Sequence, residues 1–441
     1  MKRILAGFMI ITMCGLFLPS LGDRVMAAPS SEDVRIGVIL PLTGPQAPIG
    51  REVLRGIEIA TDMVNEKGGM WNKKIKLVTG DAANTDSART ETERLITVEK
   101  VKLLIGVYSS SLAFVVHPIA HKYNVVFWET NAIADRLRQM GHNNTYFCGP
   151  MASGWGEQAA DCVVELMAPK LKMKPKDLRI AVVYQGTEWG KSLSHDGFIK
   201  RAKELGLNIV IDAPYDPNTM DFSSLILKIK RTNPDIVHTQ NYLDDGYRLF
   251  RDARKNGLNP KIWVADGCPW AYVDEAFQKF GTDMNYVLDI NQVGGGIQGA
   301  DPKVQAQYRD FLKRYQNKYK QTVSGASDVA IGFTSAIALY EYVLPDAGSF
   351  DSDRIAKVVA SIDLPSSATV RPGGIKFAPS TDPKRAGQNI RAGIVARQIF
   401  NKQYYAVWPK DGAELDAVFP IPPFGKRAIT DAEVQKLMIK E

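Results

Sequence analysis

Apolar residues fall along this chain in two alternating rhythms. The run from Ile36 to Leu42 is short, β-branched and closed by Thr43-Gly44-Pro45, which predicts a buried strand ending in a turn. After Gly50 the spacing changes to Leu54, Ile57, Ala60, Met63 and Val64, a helix through Glu66 that Gly68-Gly69 stop. The alternation continues with a strand Ile75 to Thr79, a helix Ser87 to Glu99 and a strand Leu103 to Val107. A helix Phe114 to Tyr123 and a strand Val125 to Trp128 complete it. Such a βαβαβ series implies a parallel sheet covered on both faces.

A second series follows. Tyr146-Phe147-Cys148 reads as a strand, and Ser153 as the N-cap of a helix through Met167. Strands are predicted at Arg179 to Tyr184, Asn208 to Ala213, Ile236 to Thr239 and Ile262 to Ala265. Helices are predicted at Ser192 to Glu204, Ser223 to Arg231 and Gly246 to Lys255. Pro302 to Tyr319 is amphipathic, Val329 to Leu344 is almost wholly apolar, and Asp353 to Ser361 is a further helix. Strands Gly393 to Phe400 and Gln403 to Trp408 close the pattern, leaving an arm or short helix after Pro420. Two α/β lobes in tandem are the expected architecture.

The first residues carry a different signal. Lys2 and Arg3 precede an apolar stretch, Ile4 to Leu21, broken by Pro19, and Val25-Met26-Ala27-Ala28 supply small residues for cleavage. This predicts a signal peptide over residues 1–27 and export to the periplasm, since a spanning helix needs about 20 apolar residues. Cys14 follows Met13, a poor context for lipid attachment. No later segment is apolar enough to span a bilayer, so the mature chain is expected to be soluble. About 410 residues then remain, a length that suits two cores better than one.

Composition narrows the function. Without Lys2, Arg3, Asp23 and Arg24 the formal charge drops from +7 to +5, and no basic block interleaves with aromatics, so nucleic acid is disfavoured. Cys148, Cys162 and Cys268 form no CxxC pair. A Cys148–Cys162 disulfide is one reading, and three buried thiols is the favoured one. Gly154-Trp155-Gly156-Glu157-Gln158-Ala159 fits a degenerate dinucleotide fingerprint, but a tryptophan crowds the pyrophosphate position and no acidic residue follows in place. His117 and His121 share a helix face without the HExxH context of a zinc site, so a surface or capping role is expected. No G-x-S-x-G elbow offers a hydrolase nucleophile. No catalytic residue, metal or cofactor is assigned, and the chain is not expected to be an enzyme.

Three segments together resemble a known family: Pro41-Leu42-Thr43-Gly44-Pro45, the helix end Asn65-Glu66-Lys67-Gly68-Gly69, and Ile105-Gly106-Val107-Tyr108-Ser109-Ser110-Ser111. In order and spacing they look like the type I periplasmic binding proteins, and most like the leucine/isoleucine/valine-binding branch that serves ABC importers. The resemblance runs from about Asp33 to about Trp408. It implies an α/β fold of two Rossmann-like parallel-sheet lobes joined by a three-crossover hinge that closes over a solute. Lobe 1 would hold residues 33–148 and 291–385. Lobe 2 would hold 149–290 and the terminal strands and arm of 386–441.

The resemblance also implies site residues. Ser109 and Ser110 match the serines that hold a solute carboxylate, near a helix N-terminus where anions are favoured; a serine N-cap is the plainer role for the same residues. Ala132 falls where a backbone carbonyl takes the ammonium. Ile133 stands where relatives carry a threonine, and losing that hydroxyl removes a hydrogen bond worth about 1.5–3 kcal/mol. Glu129 either accepts a bond from the solute or pairs with an arginine. Trp189 and Tyr242 match aromatics that close the pocket, with Trp270 a looser candidate, and Asp266 matches an acidic residue that pairs with the ammonium. The implied partners are a membrane permease and a small solute. That solute is an amino acid of branched-chain type or, given Ile133 and Glu129, an amide or an aromatic or aliphatic carboxylate. A monomeric transport receptor is expected; a sensor module on the same fold is the alternative.

Overall fold

The computed structural model describes residues 33–267, 273–292, 300–320 and 328–439. The predicted leader, Cys268 and Trp270 lie outside the described residues. Among those residues no helix is long and apolar enough to cross a membrane.

The first sheet is wholly parallel. It contains β1 (Val34–Leu40), β2 (Ile75–Asp81), β3 (Leu103–Gly106), β4 (Val126–Glu129) and β5 (Thr145–Phe147), in the order β2-β1-β3-β4-β5. Helices α1 (Ala47–Glu66), α2 (Thr85–Thr97) and α3 (Ser110–Lys122) connect the first four strands. One face buries Ile36, Val38 and Leu103 towards α1; the other buries Ile39, Leu104 and Phe127 against Leu95 of α2 and Val116 of α3. Both faces are therefore dry, which is why these strands read as unbroken apolar runs.

Helix α1 begins seven residues before the predicted Leu54. Pro48 stands in its first turn, where no backbone donor is needed. Gly50, which reads as loop in the sequence, is buried in the helix because its Cα abuts the Pro41 carbonyl; a Cβ there would lie 2.0 Å from that oxygen. The turn itself is tied to the end of β2. Asp81 Oδ1 accepts the backbone N–H groups of Leu42 (2.8 Å) and Thr43 (3.2 Å), and Thr43 Oγ1 donates to Asp81 Oδ2.

The second sheet has the order β14-β13-β10-β9-β8-β6-β7. Its parallel part is β6 (Arg179–Gln185), β7 (Asn208–Tyr215), β8 (Ile236–Asn241), β9 (Ile262–Gly267) and β10 (Leu288–Asn291). A short pair, β11 (Asp363–Leu364) and β12 (Ile375–Lys376), stands apart. Then β13 (Val395–Phe400) adds antiparallel to β10, and β14 (Gln403–Trp408) antiparallel to β13. The chain crosses from the first sheet to the second after β5. After β10 it returns to pack the helix Asp328–Tyr342 on α1, then ends in the second sheet. The tail carries the helix Asp431–Leu437, opened by a capping box of Thr430 and Glu433.

Helix α4 (Ala152–Cys162) starts at Met151 rather than at the predicted cap Ser153. The capping is done from outside: Asp135 accepts the Ser153 N–H at 3.0 Å and its hydroxyl at 2.5 Å. The glycines of the dinucleotide-like fingerprint lie within α4. A Cβ on Gly156 would lie 2.0 Å from the Leu193 carbonyl, so close helix packing accounts for that glycine. Cys148 and Cys162 are buried free thiols, and burial pushes Cys148 up to about 12.

Candidate solute-binding cleft

The parallel strands of both sheets release their chains into one cleft, where doubly wound folds place ligands. Behind β3 come Tyr108 and Ser110; behind β4, Asn131 and Ile133. The second sheet supplies Trp189 after β6, Tyr242 after β8, Gly267 at the end of β9 and Asn291 at the end of β10. Trp155 of α4, with Asp328 and Ile331 of the apolar helix, complete the described lining.

The aromatic wall is ordered by its helices. Thr187 caps the helical run that starts at Glu188, its Oγ1 accepting the Gly190 N–H at 3.3 Å, and so fixes Trp189 in the first turn. Tyr242 is the N-cap residue of the helix Leu243–Lys255. The two rings stack at 4.4 Å with 24° between planes, and Tyr108 meets Tyr242 from the first-sheet side at 6.2 Å.

Ser110 opens α3, and its Oγ accepts the Ala134 N–H at 3.2 Å, leaving the hydroxyl proton for another partner. Ser109 is the N-cap residue, without a side-chain cap bond. Its Oγ lies 3.2 Å from Ser111 Oγ, and it is not among the cleft-lining residues.

Of the remaining expected residues, Ile133 lines the cleft, while Ala132 and Glu129 lie beneath it. Glu129 Oε1 accepts the N–H groups of Thr130 (3.0 Å), Asn131 (3.3 Å) and Ala132 (3.1 Å), and Oε2 meets His117 Nε2 at 3.1 Å. It therefore holds the loop that carries Asn131 and Ile133. Of the two roles read for it, the arginine one is present only as the nearby charge of Arg138, with no direct ion pair described between them. Burial pushes Glu129 up to about 8, against the pull of those N–H groups and of Arg138. His117 is wholly buried here, not at the surface, and burial drives it well below its ordinary value. His121 faces Asn144 at 3.2 Å. Among the described residues no cluster of metal-ligating side chains occurs.

Asp266 needs the largest correction. Its side chain is wholly buried and outside the described lining: Oδ2 meets His238 Nε2 at 2.9 Å, and the side chain of Trp155 from the cleft wall reaches the carboxyl. Side chains alternate along a strand, so Gly267 reaches the cleft and Asp266 faces the other way. The acidic residue that does line the cleft is Asp328, which the strand-end reasoning missed because it opens a distant apolar helix. None of residues 41–50, the turn after β1 and the start of α1, is in the described lining.

Two α/β sheets whose strand ends share an aromatic-walled cleft define a two-lobed solute-binding protein. The chain belongs to the periplasmic binding protein family, whose sequence profile matches residues 33–397. It is similar to Leu/Ile/Val-binding protein homolog 7 of Brucella suis biovar 1 (strain 1330), with 30% identity over 392 residues, 88% of this chain and 94% of the relative. Homolog 8 of Brucella abortus (strain 2308) is 28% identical over 385 residues, 86% of this chain and 92% of the relative. The fold matches the leucine binding protein LivK of Thermotoga maritima at a TM-score of 0.70 and 22% identity, covering 85% of this chain and 97% of that one. It equally matches an R. palustris ABC transporter solute binding protein in complex with benzoate, at 0.69 and 18% identity, covering 91% and 99%.

Proposed function

We propose that the protein is the extracytoplasmic receptor of an ABC importer, and that it closes over a small solute of amino-acid type and presents it to a membrane permease. The observation that carries this reading is the meeting of Trp189 and Tyr242 from one sheet with Ser110 from the other across a single cleft. The stacked rings offer an apolar wall. Ser110 and the N-terminus of α3 offer donors to a carboxylate. The Leu/Ile/Val-binding names of the Brucella relatives support the amino-acid class. In this reading the leader is removed at about Ala27, the monomer works in the periplasm, and no catalysis is involved.

The lobes are residues 33–148 with 291–385, and 149–290 with 386–441. The return of the helix Asp328–Tyr342 to α1 supports that division. Closure would be a hinge motion about the three crossings between them.

A second reading, capture of an aromatic carboxylate, is favoured by the stacked wall and by the benzoate held by the R. palustris protein of the same fold. A thermal-shift panel of amino acids, amides and aromatic acids tests both, because a ligand at 100 times its Kd stabilises by about 2.7 kcal/mol. Small-angle scattering on the hits should show a smaller radius of gyration. A panel without a single shift would remove the receptor reading.

A further inference from the structure

Asp328 is the only charged side chain in the described lining of the cleft. It is 2% exposed and begins the helix Asp328–Tyr342, which packs against α1. The Tyr108 hydroxyl reaches its carboxyl, yet Oδ2 has no hydrogen-bond partner. A carboxyl withdrawn from water with one oxygen unpaired is a costly arrangement that a donor relieves. Burial pushes the group up to about 8; Tyr108 opposes this, and the charges of Glu52 and Asp289 reinforce it.

The surroundings specify what kind of donor is missing. Tyr108, Trp155, Trp189 and Tyr242 line the same cleft, and aromatic faces attract cations through their ring quadrupoles. No lysine, arginine or histidine occurs in the described lining. A cationic nitrogen would supply Asp328 with its counter-charge and, where it carries an N–H, with its missing donor. An anion lacking such a nitrogen would find no side-chain cation in the described lining and would leave Asp328 without a counter-charge.

Resting on the receptor reading above, we propose that Asp328 receives the cationic nitrogen of the solute. The cleft therefore selects zwitterions, an amino acid or a betaine, with the carboxylate towards Ser110 and the nitrogen towards Asp328. It rejects the deaminated acid of the same shape.

The test is calorimetry of the full protein against matched pairs: leucine with 4-methylpentanoate, phenylalanine with 3-phenylpropanoate, and glycine betaine with acetate. Benzoate is titrated alongside. The nitrogen-bearing member of the best pair should bind at least tenfold more tightly. Asp328→Asn should erase that preference by weakening this member at least tenfold, with the circular dichroism spectrum unchanged. If the variant does not fold, the wild-type preference decides. Benzoate or a deaminated acid binding as tightly as the best zwitterion, or Asp328→Asn binding at full strength, overturns the assignment while the receptor reading stands. Silence from every compound, here and in the wider thermal-shift panel, removes both.

Discussion

His238 and Asp266 meet at 2.9 Å inside the second sheet, both without solvent exposure. The pair joins β8 to β9 beneath the cleft floor, and the Phe198 ring stacks on His238 at 4.1 Å. Removing the carboxylate leaves the imidazole buried without that partner, which costs about 1–3 kcal/mol. Asp266→Ala is thus expected to lower the urea midpoint while leaving the ratio of affinities for an amine-bearing solute and its deaminated partner unchanged. A selective loss of the amine-bearing solute, at unchanged stability, would return Asp266 to the binding surface.

Glu129 offers a sharper test of how the cleft is built. One oxygen gathers three successive N–H groups of the loop that presents Asn131 and Ile133. Glu129→Ala orphans those donors and should weaken solute binding about tenfold or more, since each buried unpaired donor costs about 1–3 kcal/mol. Glu129→Gln keeps one carbonyl oxygen and should recover part of the loss. Calorimetry on the two variants checks the order. Equal affinities in both would show that the loop holds its shape without the carboxyl.

The two carboxyls that burial pushes up to about 8, Glu129 and Asp328, set a pH dependence whose sign is fixed. Each keeps its proton in the folded chain over a range where the unfolded chain has released it. Their contribution is fully present below the ordinary carboxyl range, declines as pH rises, and is lost above about 8. Groups held low by partners, such as Glu66 beside Arg314, act at more acidic pH, whereas His117 and His142, held below their ordinary value by burial, oppose the trend up to the ordinary histidine range without reversing it. Ligand-free protein should therefore lose stability, on the order of 1 kcal/mol or more, from about pH 5 to pH 8. Asp328→Asn should flatten part of that slope. Urea midpoints at four pH values decide it: a rising trend, or an unaltered slope in the variant, contradicts the account.

These residues also mark how far a sequence reading reaches. The strand–helix alternation is visible because strands buried on both faces are continuous apolar runs, while the helices between them keep a polar side. Ser110, Ile133, Trp189 and Tyr242 follow strands directly, so position alone brings them to the cleft. Asp266 is misassigned by one step of strand alternation, which no local pattern betrays when every residue of β9 is buried. Asp328 carries no strand-end signal. Its one trace is a lone carboxylate opening a helix buried at nearly every position through Tyr340. Glu129 looks like a ligand group because its partners are backbone N–H groups, which a side-chain pattern does not reveal.

The place of Asp328 depends on a helix crossing, and that crossing depends on two glycines. A Cβ on Gly56 of α1 would lie 2.0 Å from the Val329 carbonyl; a Cβ on Gly332 would lie 2.0 Å from the Val53 carbonyl. The obstacles are backbone atoms, so no side-chain rotation relieves them, and the helices must move apart. Gly332→Ala should cost about 1–3 kcal/mol by overpacking. Because Asp328 begins the same helix four residues earlier, the shift should also carry its carboxyl from the aromatic wall. Solute affinity should therefore drop along with the urea midpoint. Gly154→Ala is the control: nothing lies within 4 Å of its added Cβ, and both quantities should hold. If Gly332→Ala lowers stability but leaves affinity intact, the position of Asp328 is set by the cleft itself rather than by the α1 crossing.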